Sequence, residues 1–397
     1  MSGPVDHGDH ASSSRAQRAL QNFTSQWFLI PQGTGIIAVI LHQLDYQFPG
    51  LPVISYIFWA LAVVFLLTAL TLYLARCVLF PRKVFASLRH AQEEVACLTS
   101  VSITYTSIIQ MTSLVLVSPG SHQDGSGSGW ATATLILWWT NVALALFSVV
   151  CVPFVLVRVY PSQVSHLSPA GQLPLIAALT VAAGGGTIVQ NAGSSIGPQS
   201  QVPAVVVSYL FLGCGLPLAF ALDVLFWGRL LDRSIPDRPH TLQEMILCGP
   251  WGQGSFAFQI LGSAVLKGKF AGYNGGGVFL TEQAAVTVGY VSIFIGLLLW
   301  GMGTFWWVWA VTGILRAATG KRMRWMGIPY GLSAWSLVFP WGVYTNAAVQ
   351  LAKLLDSPAF RVWSTVLAVA LVLIWLWNMG MTIRGLLNKK LLGLEDD

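Results

Sequence analysis

Charge is what this sequence has least of. Only 9% of its 397 residues are Asp, Glu, Lys or Arg, while 55% are hydrophobic; an ordinary soluble domain carries about 25% charged residues. A soluble fold of this length could not cover its surface with so few charges. Also missing is any polar stretch long enough to fold as a separate domain. The five cysteines (Cys77, Cys97, Cys151, Cys214 and Cys248) show no C-x-x-C spacing, so neither a zinc site nor a disulfide framework is expected. No H-E-x-x-H, paired helical histidines or G-x-S-x-G occurs, and without a catalytic cluster the chain is not expected to be an enzyme. No cofactor, resident metal or nucleic-acid partner is expected either.

Long apolar blocks are what the chain does have. Ten can be drawn, at 27–46, 51–75, 95–117, 131–157, 172–192, 203–228, 243–266, 284–315, 328–352 and 362–383. A helix needs about 20 residues to cross ~30 Å of hydrocarbon, and backbone polar groups in lipid must be satisfied within the segment. Alternating ~10-residue strands, the mark of a barrel, are absent. The expectation is an all-α integral membrane protein of ten transmembrane helices, with the lipid bilayer as its solvent. Its single transport domain spans 27–386, between a disordered tail at 1–26 and a short C-terminal tail at 387–397. No short apolar stretch precedes the first block, so the tail does not read as a cleavable signal peptide.

Basic residues orient the chain. Lys267, Lys269, Lys353 and Arg361 fall on one side of the ten blocks, and all the others of the 21 Lys and Arg fall on the opposite side. Cytoplasmic loops retain Lys and Arg, so both termini are expected in the cytoplasm. No Lys or Arg sits in the middle of a block. Of the acids, only Asp45, Asp223 and Glu244 lie within blocks, towards their ends, so the buried carboxylate relay of a proton-driven pump is missing.

The most informative pattern is a difference between odd and even blocks. The first contains Pro31-Gln32-Gly33-Thr34-Gly35, the seventh Pro250-Trp251-Gly252-Gln253-Gly254, and the ninth Pro340-Trp341-Gly342. The fifth carries Gly184-Gly185-Gly186 followed by Thr187, Gln190 and Asn191, and the third is rich in hydroxyls and contains Gln110. Even blocks hold most of the tryptophans and long Leu/Val/Ile runs, which suits a lipid-facing or subunit-facing layer. Five hairpins in series are expected, with odd helices kinked at Pro31, Pro250 and Pro340 and lining a central pore. The candidate lining residues are Gln32, Gly33, Thr34, Gly35, Gln110, Gly185, Gln190, Gly252, Gln253, Gly254, Ser255 and Asn346, since amide and hydroxyl donors suit oxyanion oxygens. Small residues also serve plain helix packing in membranes, and that alternative stands for each glycine. A neutral lining without a carboxylate ring favours an anion over a cation.

Ten spans in five hairpins with broken odd helices resemble the tellurite-resistance/dicarboxylate transporter family, whose relatives include plant slow anion channels and malate transporters. Three stretches resemble its fungal sulfite efflux branch: Gly249-Pro250-Trp251-Gly252-Gln253-Gly254-Ser255-Phe256, Phe339-Pro340-Trp341-Gly342, and Phe360-Arg361-Val362. The resemblance implies a plasma-membrane homotrimer with a pore in each subunit, plugged by a phenylalanine at Phe339, with Phe256 as the rival. It further implies export of sulfite or bisulfite, a small inorganic anion. A C4-dicarboxylate transporter or a slow-type anion channel is the alternative.

Overall fold

The computed structural model describes residues 15–117, 127–160, 167–232, 238–270, 273, 279–319 and 330–394. The start of the N-terminal tail, the Ser/Gly-rich joint at 118–126 and the basic run Lys321–Arg324 lie outside the described residues. Among the described residues α1 (Arg15–Gln21) comes first, and each of the ten apolar blocks then overlaps a helix. α2 (Leu29–Gln43) is followed by α3 (Leu51–Leu79). The short α4 (Pro81–His90) and α5 (Gln92–Cys97) lead to α6 (Ser100–Leu116) and α7 (Gly127–Val159). Three further pairs complete the chain: α8 (Leu173–Ala192) with α9 (Pro198–Leu231), α10 (Cys248–Leu266) with α11 (Glu282–Thr319), and α12 (Val338–Leu354) with α13 (Pro358–Leu387).

By length and hydropathy, seven of the described helices can cross a membrane, with α5 and α6 taken as one; the bent pair Arg15–Gln21 and Ser25–Gln43 makes an eighth. α10 and α12 are shorter and carry the glycine and amide positions that lower their hydropathy. Burial sorts the ten into two layers. The apolar window of α8 is 100% buried and that of α6 78%, against 22–33% for α3, α7, α9, α11 and α13. α2, α6, α8, α10 and α12 pack side by side in that order, and α12 returns to α2, closing an inner ring of five. Each outer helix packs on its own hairpin partner.

Not every tryptophan of the outer layer faces lipid, as composition suggested. Trp138 of α7 is fully buried and donates to Val181 O of α8 at 2.9 Å, and Trp375 of α13 donates to Thr34 Oγ1 of α2 at 3.0 Å. An indole N–H in lipid lacks a partner, so these rings turn inward and fasten the layers together.

The prolines do something other than kink mid-helix. Pro31, Pro250 and Pro340 are each the third residue of an α-helix that follows a 3-10 segment, at Ser25–Phe28, Arg238–Leu247 and Leu332–Leu337 respectively. α8 repeats the device, with Pro174 second in the helix after the 3-10 turn Pro169–Gln172. The first N–H groups of a helix have no intrahelical acceptor, so proline costs nothing there and marks the junction. Uninterrupted proline occurs instead in the outer layer, at Pro153 of α7 and at Pro203 and Pro217 of α9.

Glycines let the ring close. A Cβ at Gly252 would lie 2.7 Å from Tyr344 N and 2.9 Å from Tyr344 Cα, and backbone cannot move aside as a side chain can. Gly252→Ala should therefore cost at least the ~1–3 kcal/mol typical of overpacking, read as a lower unfolding midpoint in detergent. At Gly33 the obstacles are Val338 Cγ1 at 2.8 Å and Cβ at 3.0 Å; rotation moves only the first, so Gly33→Ala should cost less than Gly252→Ala but still destabilise.

The end of the N-terminal tail departs from expectation. Residues 15–21 are helical, Gln21 O accepts from Arg76 Nε at 3.1 Å, and the Lys83 ammonium donates to Gln21 Oε1. Asn22 Nδ2 donates to Leu392 O at 2.9 Å, tying both ends of the chain together. These polar contacts order a segment that has no apolar core of its own.

Candidate functional site

An α-helix turns about 100° per residue, so register separates side chains facing the outer layer from those facing the middle of the ring. On α12, Trp341 donates to Leu367 O of α13 at 3.1 Å and so points outward. Phe339 stands about 200° from it, facing the middle, and Asn346 and Gln350 share that side within about 20°. On α10, Gly249 lies against both Ile176 of α8 and Pro340 of α12, which marks the inward side. Gln253, Phe256, Ile260 and Lys267 all fall within about 40° of it. On α2, Gln32 is about 200° from the outward Thr34 and shares a stripe with Gln43. Between α6 and α8, Gln110 Nε2 donates to Thr187 Oγ1 at 3.1 Å.

Gln32, Gln253 and Asn346 are only 1–2% exposed, and their side-chain carbonyl oxygens have no hydrogen-bond partner. Leaving a buried amide unsatisfied costs about 1–3 kcal/mol, and the packing leaves three such acceptors unmet on the inward faces of three helices. Carboxamide oxygens without a partner also occur at Gln190 of α8 and, away from these stripes, at Gln172, Gln259 and Asn378. Phe339 is 2% exposed and Phe256 fully buried.

At the C-terminal ends of the inner helices the ring opens into a cavity of about 450 Å³. All five contribute: Gln43 from α2, Leu114 from α6, Thr187, Gln190 and Asn191 from α8, Ile260 and Ser263 from α10 with Lys267 just past its end, and Gln350 and Lys353 from α12. Neither Asp nor Glu is among the lining residues. Phe339 lies about 16 Å of helix rise below Gln350 and does not line the cavity, and Phe256, one turn below Ile260, does not either.

The other sequence candidates serve packing. Thr34 accepts from Trp375 and donates to Ile30 O, and Ser255 donates to Gly296 O of α11 at 2.6 Å. Gly35 meets Ser107, Gly185 meets Ser208 and Trp138, and Gly254 meets Leu216. Trp251 of the seventh-block motif donates to Asp223 Oδ2 at 2.5 Å, and Gln172 Nε2 donates to Asp223 Oδ1 at 2.7 Å. That carboxylate is 1% exposed and no second carboxylate bonds to it among the described residues, so it anchors α9, α10 and the 3-10 turn that starts α8 at one point. Sequence reasoning missed Gln43, Gln350, Lys267 and Lys353. Gln350 is one turn from Asn346 on the same face, a spacing that points to it; in sequence the lysines serve only as markers of sidedness.

A closed ring of buried helices with polar inward stripes inside an apolar shell defines a multi-pass membrane transporter or channel, not an enzyme. The chain belongs to the anion-transporting family described as SLAC1: Voltage-dependent anion channel, whose pattern matches residues 22–383. It is similar to the sulfite efflux pump SSU1 of Arthroderma benhamiae, with 28% identity over 98% of this chain and 99% of that one. The sulfite efflux pump SSU1 of Trichophyton rubrum gives the same identity and coverage. The malic acid transport protein of Schizosaccharomyces pombe is 22% identical over 93% of this chain and 79% of its own length.

Proposed function

We propose that this protein exports sulfite or bisulfite from the cytoplasm through a conduit along the axis of the five-helix ring. The observation that carries the reading is the set of carboxamides at Gln32, Gln253 and Asn346, whose oxygens have no partner and whose N–H groups donate no hydrogen bond among the described residues, on inward stripes that carry no charge until the lysine-bearing cavity. Amide N–H groups can replace water around an oxyanion, and a neutral narrow passage offers a cation no counter-charge. Full-length similarity to sulfite efflux pumps favours sulfite over malate. In this reading all ten blocks cross the plasma membrane, α10 and α12 being shielded from lipid by the outer layer. Both termini are cytoplasmic, as the basic residues suggest, and Phe339 is the plug. The homotrimer is the assembly the family resemblance implies, and the apolar faces of the outer helices would meet lipid or neighbouring subunits. A potential negative inside drives an anion outward by about 2.3 kcal/mol per charge per 100 mV, so export needs no other energy source.

The test is uptake of sulfite, malate and chloride into proteoliposomes with the voltage clamped by an ionophore. Sulfite flux well above the other two is expected. Dominant malate flux would move the protein to the dicarboxylate reading, and absence of all three fluxes would remove the conduit as an anion path.

A further inference from the structure

The cavity at the C-terminal ends of the inner helices has the composition of a binding site as well as the position of a mouth. We infer that it is a docking site for a small, doubly charged oxyanion, held between Lys267 and Lys353 and oriented by the carboxamides of Gln350 and Gln190. The inference rests on the export reading only for its role, as the station an anion occupies on leaving; the binding itself stands on this geometry.

Helix C-termini carry partial negative charge and lysines often cap them, so the capping alternative has to be weighed. Lys353 does cap, donating to Gln43 O at 2.6 Å, and the Lys269 ammonium donates to Gly193 O. One bond leaves Lys353 two further N–H groups. Lys267 makes no side-chain hydrogen bond among the described residues although it lines the cavity. Its own backbone N–H closes the end of α10 on Ser263 O and Ala264 O, so its ammonium is not needed there. Gln350 is a second, independent sign: 93% of its surface is buried, it lines the cavity, and it bonds to nothing described. A carboxamide so enclosed, lining the cavity and with no protein partner among the described residues, has both its N–H groups and its oxygen available to a ligand there.

The surrounding charge supports an anion. Burial first, and then the positive charge of the neighbouring Lys267, push the Lys269 ammonium below its usual range. The nearest acids are engaged elsewhere. Asp45 faces Arg361 at 4.0 Å, Asp356 pairs with Arg361, and neither lines the cavity. With two ammonium groups and no lining carboxylate, a divalent oxyanion gains more than chloride of the same concentration.

Sulfate is the probe, since it is divalent and tetrahedral. Thermal unfolding of the purified full chain in detergent is followed by tryptophan fluorescence, with ionic strength held constant by chloride. The wild type should show a saturable rise in Tm with sulfate. Lys267→Gln should weaken that half-saturation about tenfold, a loss of about 1.4 kcal/mol. Lys267→Gln combined with Gln350→Leu should leave only the linear, non-saturating rise that sulfate gives any protein. Neither change touches the capping Lys353. Saturation that persists in the double variant, or a wild-type shift no larger than chloride gives, overturns the site. Sulfate saturation without sulfite flux keeps the site and removes the export reading; sulfite flux without saturation removes the site alone.

Discussion

Replacing Phe339 with alanine is expected to raise basal anion flux at least tenfold, a change that needs only about 1.4 kcal/mol off the barrier. The ring shares the inward stripe of α12 with Asn346 and Gln350 and is 2% exposed, so in the conduit proposed above its removal opens space on the axis. Apolar constrictions exclude an anion because nothing replaces its hydration shell. Phe339 is also well placed to move. It sits where the 3-10 segment Leu332–Leu337 becomes α12, beside Pro340, which has no N–H to donate. Phe256 lies mid-helix in α10 and should be the lesser barrier, so Phe256→Ala is expected to leak less. Phe339→Leu, which refills most of the volume, should stay near wild type. Truncating a buried phenylalanine can cost about 3–5 kcal/mol of stability, so flux is to be normalised to folded protein recovered by gel filtration. Leak in Phe256→Ala with none in Phe339→Ala would reassign the plug.

Layering was legible in the sequence because solvent enforces it. A span that carries Gln253 or Asn346 cannot face lipid, while one built as Leu-Val-Leu-Ile need not be covered, so odd and even blocks separated on polarity alone. Which side of an inner helix a residue occupies was not legible, because a helix in the inner ring is enclosed on every side. Thr34 and Gln32 are two residues apart and equally polar, yet one bolts α2 to Trp375 of α13 and the other is left unpaired. The prolines show a similar limit. P-x-G correctly flagged a discontinuity, but an orphan-N–H position at a helix start and a mid-helix kink look the same in one dimension. Lys267 and Lys353 were hidden by a rule that accounts for loop lysines by sidedness alone; only their meeting across a cavity gives them a second meaning.

Glu94→Leu is expected to be the most damaging single change outside the ring. Arg76 Nη1 and Glu94 Oε1 are 2.6 Å apart with both side chains 3% exposed, an ion pair invisible in a sequence where both residues fall at block margins. Glu94 also accepts from Ser25 N at 3.0 Å and from the Tyr73 hydroxyl at 3.2 Å. Arg76 reaches Gln21 O at 3.1 Å and Ser87 Oγ at 3.0 Å. The pair thus joins α1, α3, α4 and α5 to the 3-10 segment that starts α2, holding the first inner helix at its entry. Removing one member of a buried pair costs about 3–5 kcal/mol, since the survivor is left charged and dry, whereas replacing both with apolar groups can be neutral. Glu94→Leu should lower the unfolding midpoint sharply, and Arg76→Met added to it should restore much of the loss. Contacting residues of this kind couple by about 0.5–3 kcal/mol in a double-mutant cycle. Losses that simply add would mean that the two side chains act separately, and α2 would then be held by Ser25 and its neighbours without help from the charge pair.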